Sequence, residues 1–311
     1  MPSNFDVSTA VIKSAVDTGR FVPEIWVDEV IATYKKALVL ANLVRKINVE
    51  GKPGDAVNIP GYVRGSATAK SANTAIVPEA LTTTGLGAGV QVSLDQHWYW
   101  SRLIEDIAQV QAKQSLRSIY TEDAGYTLAK KIDSVLHDLA ASWQGGANTA
   151  AFDKAVIGSD GSTLYTGSNE AAITDAAIRK VIQTLDDADV PMENRFLVIP
   201  PVARNTLMGL ARFTEQAFVG EGGSNNVIRN GRLGNVYGVE IYVSSQCPVA
   251  TGDARIASLF HKDALVLCMQ QSVRMQNQYK LEALGTLLVA DTIFGAKEYR
   301  DNAGVAIAVT A

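Results

Sequence analysis

The chain has 311 residues, 47% of them hydrophobic and 19% charged, with a formal net charge of −4 and an isoelectric point near 5.5. That is about two ordinary domains' worth of chain and enough to bury a substantial core, which excludes an intrinsically disordered protein. Lys/Arg clusters no longer than Lys35-Lys36 and Lys130-Lys131 exclude a strongly basic nucleic-acid binder, two cysteines (Cys247 and Cys268) exclude a disulfide framework, and no apolar run reaches the length of a membrane span.

The first residues, MPSNFDVSTAVIKSAVDTGRF, lack the basic start and apolar run of a signal peptide, so a cytoplasmic site of synthesis and use is expected. Residues 1–22 read as a polar N-terminal arm. A helix is expected over residues 23–43, opened by Pro23, with Trp26, Val30, Ile31, Tyr34, Leu38 and Ala41 at three- and four-residue spacing. Residues 51–89 change character, because ten Gly or Pro residues punctuate short β-prone pieces such as 56–59 and 75–77 with little apolar mass between them. Such an excursion has little core of its own; it reads either as a loose surface insertion or as a two-stranded arm ordered by a neighbouring subunit, and the arm is the expectation. Val90, Val92 and Leu94 alternate as a half-buried strand, and a long amphipathic helix follows over about 105–142. Its apolar stripe is Leu116, Ile119, Tyr120, Ala124, Leu128, Ile132, Val135, Leu139 and Trp143, with Lys113, Arg117, Lys130, Asp133 and Asp138 largely off it.

Residues 144–173 are loop-rich. A helix is expected over 175–189 with Thr174 as its N-cap, a buried strand over 196–199 ended by Pro200-Pro201, and a helix over 202–210. A Gly/Asn-rich loop spans 220–235, Val239, Ile241 and Val243 alternate as a strand, and five strands close the chain over 256–260, 264–269, 273–279, 287–293 and 305–309. The order is α+β, without βαβ units or internal repeats.

No Walker loop, GxSxG elbow, CxxC or HExxH occurs. GLGAG at 85–89 precedes a strand instead of opening a helix, unlike a dinucleotide loop, and GSDGS at 158–162 lacks the spaced carboxylates of a calcium loop. The three histidines, His97, His137 and His261, have no partner at ligand spacing, and Glu105-Asp106, Glu122-Asp123 and Asp186-Asp187 are sequence neighbours rather than facing carboxylates. No catalytic, cofactor-binding or metal-binding residue is assigned, no cofactor is expected, and the chain reads as a non-enzyme.

Six segments resemble the major capsid proteins of tailed bacteriophages with the Hong Kong 97-like fold: FVPEIWVDEV at 21–30, GDAVNIPGY at 54–62, LDQHWYWSRLIEDIAQVQ at 94–111, GRLGNVYGVEIYVS at 231–244, HKDALVLCMQ at 261–270 and LGTLLVADTIFGAKEYRDNAGVAI at 284–307. No one of them is specific; together they fall in the family's order over most of the chain from Phe21 onward, most weakly across 144–174. The resemblance implies an N-terminal arm (1–22), an extended β-hairpin loop (51–89), a peripheral domain with a long spine helix (23–50, 90–143 and 263–311) and an axial domain (144–262). It implies a subunit of an icosahedral virion shell, built from pentamers and hexamers in the host bacterial cytoplasm as a procapsid. Its implied partners are its own copies, a scaffolding protein, a portal protein, a decoration protein and non-specifically contacted packaged double-stranded DNA, with no membrane. Some members crosslink subunits through a Lys and an Asn, and no such pair is identified here. Two other readings are an encapsulin-like bacterial nanocompartment shell, which shares the fold, and a soluble α/β enzyme.

Overall fold

In the computed structural model, the described residues are 38–60, 67–76, 89–107, 116–143, 155–210 and 234–310. The expected arm, most of the helix over 23–43, residues 85–88 of GLGAG and most of the loop over 220–235 lie outside them.

Two sheets carry the fold. The first has four strands in the order β1-β10-β11-β4: β1 (Arg45–Asn48), β10 (Leu265–Lys280), β11 (Gly285–Glu298) and β4 (Gln96–Glu105). The second has six, in the order β5-β12-β9-β6-β8-β7: β5 (Val156–Ile157), β12 (Gly304–Val309), β9 (Arg255–His261), β6 (Arg195–Ile199), β8 (Val239–Val243) and β7 (Asn235–Val236). A separate pair joins β2 (Ala56–Ile59) to β3 (Val90–Ser93). The α-helices among the described residues are α1 (Leu40–Leu43), α2 (Leu116–Ala140), α3 (Asp175–Asp187) and α4 (Pro201–Met208).

Local chemistry explains several boundaries. Thr174 caps α3, its side chain accepting the Ala177 N–H, as expected. Pro200-Pro201 both ends β6 and opens α4, because Pro201 sits in the first turn, where a missing N–H costs nothing. Gly304 is dictated by packing, since a Cβ there would lie 2.4 Å from the Trp143 ring, which is itself fully buried and stacked on Phe260 at 6.0 Å.

α2 bridges the two sheets. Ala124 and Leu128 pack with Ala290, Trp100 and Met275 of the four-stranded sheet. One turn later Ile132, Leu136, Ala140 and Trp143 join a core with Val198, Ile256, Phe260, Ala306 and Ala308 of the six-stranded one. The expected stripe holds at Ala124, Leu128, Ile132 and Trp143, but Val135 and Leu139 are only half-buried and Ile119 is exposed. Leu136, left off the stripe, is fully buried. A helix that serves two sheets rotates its buried face along its length, so one straight stripe does not describe it. Its 25 residues span about 38 Å; of the expected 105–142, Glu105 belongs to β4 and 108–115 lie outside the described residues.

Three other expectations change. The strands expected over 264–269 and 273–279 are one 16-residue strand, β10, with register shifts near Gln271; a β-bulge carries the polar Gln270-Gln271-Ser272 without ending the strand. The extended loop has a paired base, β2–β3, but its described middle, 67–76, contains no strand. Finally, the resemblance implies that β12 belongs to the domain of the long helix. All six of its residues are buried, and it pairs with β9 and β5 inside the six-stranded sheet. A wholly apolar strand needs both faces covered, which an interior position supplies.

Candidate assembly surfaces and a buried polar node

The root of the extended loop is rigidly held. Gln270 Nε2 donates to the Gly54 carbonyl at 2.9 Å, Ser272 Oγ to Glu50 at 2.9 Å, and Lys297 Nζ to the Gln91 carbonyl at 3.0 Å. Beneath these bonds Val92, Val266 and Cys268 form a small core with Val57, Ile59 and Val90. Gly89 lets the two strands close, because a Cβ there would meet the Ile59 carbonyl oxygen at 2.5 Å. Residues 67–76, by contrast, are all exposed, Ile76 at 75%.

Where α2 passes from one sheet to the other, it carries the buried pair Asp133 and His137. Asp133 accepts the Ala41 N–H at 3.0 Å, the Val39 N–H at 3.5 Å and the Gln246 side-chain amide at 2.9 Å. His137 Nε2 lies 3.1 Å from Ser244 Oγ, which also accepts the Gln246 N–H at 3.1 Å. The node therefore ties α2 to the α1 segment and to the turn after β8. Burial raises the pKa of Asp133 against the opposing pull of the N–H groups of Ala41, Val39 and Leu40. Burial pushes His137 down to about 4, so its ring is neutral at pH 7.

Asp133, His137 and Ser244 share the residue types of a hydrolytic triad without its geometry. Asp133 approaches the same ring nitrogen as Ser244, at 3.6 Å, whereas a triad needs the carboxylate on the other nitrogen and an accessible hydroxyl. All three side chains are buried. The node can hold elements together, and nothing in its arrangement can meet a substrate. Asp133, expected to lie off the buried stripe, is thus the residue that sequence reasoning misplaced.

The other polar sites have structural explanations. On the four-stranded sheet, Asp291 takes a bidentate pair from Arg274 at 3.1 and 2.9 Å, the Gln271 amide at 2.8 Å and His97 at 3.4 Å, across the irregular stretch of β10. The Arg274 hydrogen bonds hold its carboxyl below the usual range. In the GSDGS loop, Asp160 accepts the N–H groups of Ser162 and Thr163 and the Thr163 hydroxyl, a self-contained turn that lowers its pKa to about 2. Burial pushes the Cys247 thiol up to about 12, far from a reactive thiolate. Among the described residues, no group of three or more His, Cys, Asp or Glu is placed to hold a metal, and no helix is long and apolar enough to cross a membrane.

Among the described residues, exposed large apolar side chains occur at two places on the four-stranded sheet. One is its tip, with Ile107, Leu281 and Leu284; the other is its outer strand β4, with Trp98, Tyr99 and Leu103. Patches of this kind mark contact surfaces.

A family model described as phage capsid protein matches residues 104–302. No curated protein matches by sequence. Among solved structures, one from Mycobacterium phage Che8 superposes with a TM-score of 0.73 at 24% identity, covering 93% of this chain and 97% of that one. The capsid structure of cyanophage P-SCSP1u gives 0.73 at 18% identity, covering 95% and 94%. The asymmetric unit of the bacteriophage PhiM1 mature capsid gives 0.69 at 14% identity, covering 97% and 99%.

Proposed function

The chain belongs to the phage capsid protein family, and from that premise we propose that it forms pentamers and hexamers that close an icosahedral shell around double-stranded DNA. Its fold is the Hong Kong 97-like capsid fold, its role is structural rather than enzymatic, and its place is the virion capsid, where copies of it build the shell. On our reading, assembly takes place in the host bacterial cytoplasm on a scaffolding protein, with a portal at one vertex and room for a decoration protein. The four-stranded sheet with α2 as spine, residues 23–50, 90–143 and 263–303, makes the peripheral domain. The six-stranded sheet, residues 144–262 with 304–311, makes the axial domain. Residues 51–89 are the strap to a neighbouring subunit.

The observation that carries this reading is the contrast within the loop. Its base is fixed by three side-chain hydrogen bonds and a small core, while residues 67–76 touch so little of their own subunit that every one is exposed. A rigid root under an uncovered arm suits a segment whose partner is another copy. Deleting residues 61–78 should abolish shell formation in the presence of scaffold while leaving a folded subunit with near-normal circular dichroism. Shells of normal yield from the deleted protein would show that the segment is dispensable and that the strap reading is wrong.

A further inference from the structure

The outer strand β4 is an unprotected edge. It is 10 residues long, seven of them exposed, with Tyr99 at 72% and Leu103 at 43%, and among the described residues nothing pairs with its outer side. It contains no Pro and no bulge, two of the devices that keep an edge from pairing, and its charged residues are Arg102 and Glu105. Its inner side bonds to β11 in one unbroken register from Gly285↔Glu105 to Phe294↔Gln96, continued by the Asp106 N–H donating to the Leu284 carbonyl at 3.0 Å. Backbone groups alternate along an antiparallel strand. The even-numbered residues therefore bond inward, and His97, Tyr99, Ser101, Leu103 and Glu105 point their N–H and C=O groups outward.

We propose that β4 pairs antiparallel with β4 of a second copy about a two-fold axis at Ser101, joining two four-stranded sheets into one of eight. The sequence of the strand is complementary to itself in this register. On one face His97 stands opposite Glu105 of the second copy, Tyr99 opposite Leu103, and Ser101 opposite Ser101. On the other, Trp98 stands opposite Ile104 and Trp100 opposite Arg102, where a guanidinium can stack on the indole. The neighbouring symmetric registers are worse. Centring on Trp100 sets Glu105 against Asp95, and centring on Arg102 sets Arg102 against itself, like charges directly opposed. Of these three, the Ser101 register alone pairs residues 97–105 without such a contact.

The proposal rests on the shell reading and adds a place for the contact. Rings of five or six are built by head-to-tail contacts, whereas a contact that uses the same patch on both copies is isologous. The β4 pair would therefore link one ring to the next.

The test is a cysteine scan in the full-length chain. Ser101 residues paired across the axis would have Cα atoms about 5.5 Å apart, inside the range a disulfide spans. Two copies of residue 99 would be about 15 Å apart, beyond its reach. After mild oxidation of the assembled fraction, S101C should run mainly as a covalent dimer on a non-reducing gel. Y99C alone should stay monomeric, and Y99C/L103C should crosslink again. The wild type supplies the background, since Cys247 and Cys268 are buried. Should S101C misfold, Y99C/L103C tests the same register at exposed positions. Shells whose S101C chains stay monomeric, or Y99C shells that crosslink as readily as S101C, would overturn the pairing and leave the shell reading intact. Wild-type protein that forms no large assembly at all would overturn the shell reading itself.

Discussion

Replacing Asp133 with alanine should lower the stability of the free subunit by about 3 kcal/mol or more, since buried donors left without an acceptor cost about 1–3 kcal/mol each. The loss has a specific origin. The Ala41 and Val39 N–H groups and the Gln246 amide all point at this one carboxyl, which is fully buried. Asp133→Asn keeps an acceptor for the Ala41 N–H and should recover much of the loss. Urea denaturation of unassembled subunits measures both variants. An alanine variant within about 0.5 kcal/mol of wild type, the range of an ordinary surface change, would mean that the node does not tie α2 to its neighbours.

The second large effect is a dependence on acid. The pKa of His137 falls from 6.5 in the unfolded chain to about 4 in the folded one. Between those values the unfolded state binds the additional proton, so stability falls as pH drops below about 6.5 and levels off below about 4, a total of about 3 kcal/mol. Asp133 acts in the opposite sense, because its raised pKa favours the folded state as the carboxyl takes up its proton. His261, whose pKa is also lowered by burial, acts in the same sense as His137 and is untouched by a change at 137. Comparing wild type with His137→Asn at pH 7 and pH 4 isolates the one group. The variant starts lower at pH 7, having lost its bond to Ser244, and the gap should close by about 3 kcal/mol on acidification. A gap that stays constant would show that His137 is not held neutral.

The elements legible in the sequence were those whose cause is local. Thr174 announces α3 by its hydroxyl, Pro200-Pro201 marks the end of β6 and the start of α4, and the alternation of Val239, Ile241 and Val243 gives β8. Where the cause is distant, the reading failed. Asp133 resembles a solvent-facing residue of an amphipathic helix, and its partners lie 92 and 113 residues away. β10 looked like two strands because its bulge places polar Gln and Ser mid-strand, and only its pairing with β11 shows the continuity. β12 could not be assigned to a sheet from its own residues, since an all-apolar strand fits the interior of any sheet. The β4 edge left no trace either, because whether a strand lies inside a sheet or at its edge depends on strand order. The capsid resemblance came from six segments in sequence, and the family model now spans four of those stretches wholly or in part.

Electron microscopy of the purified full-length protein, expressed together with its scaffolding protein, tests the central claim most directly. Closed shells of uniform diameter, with five- and six-membered rings visible in averaged images, are the predicted result. A uniform population of monomers or small oligomers at high concentration, with scaffold present, would contradict it.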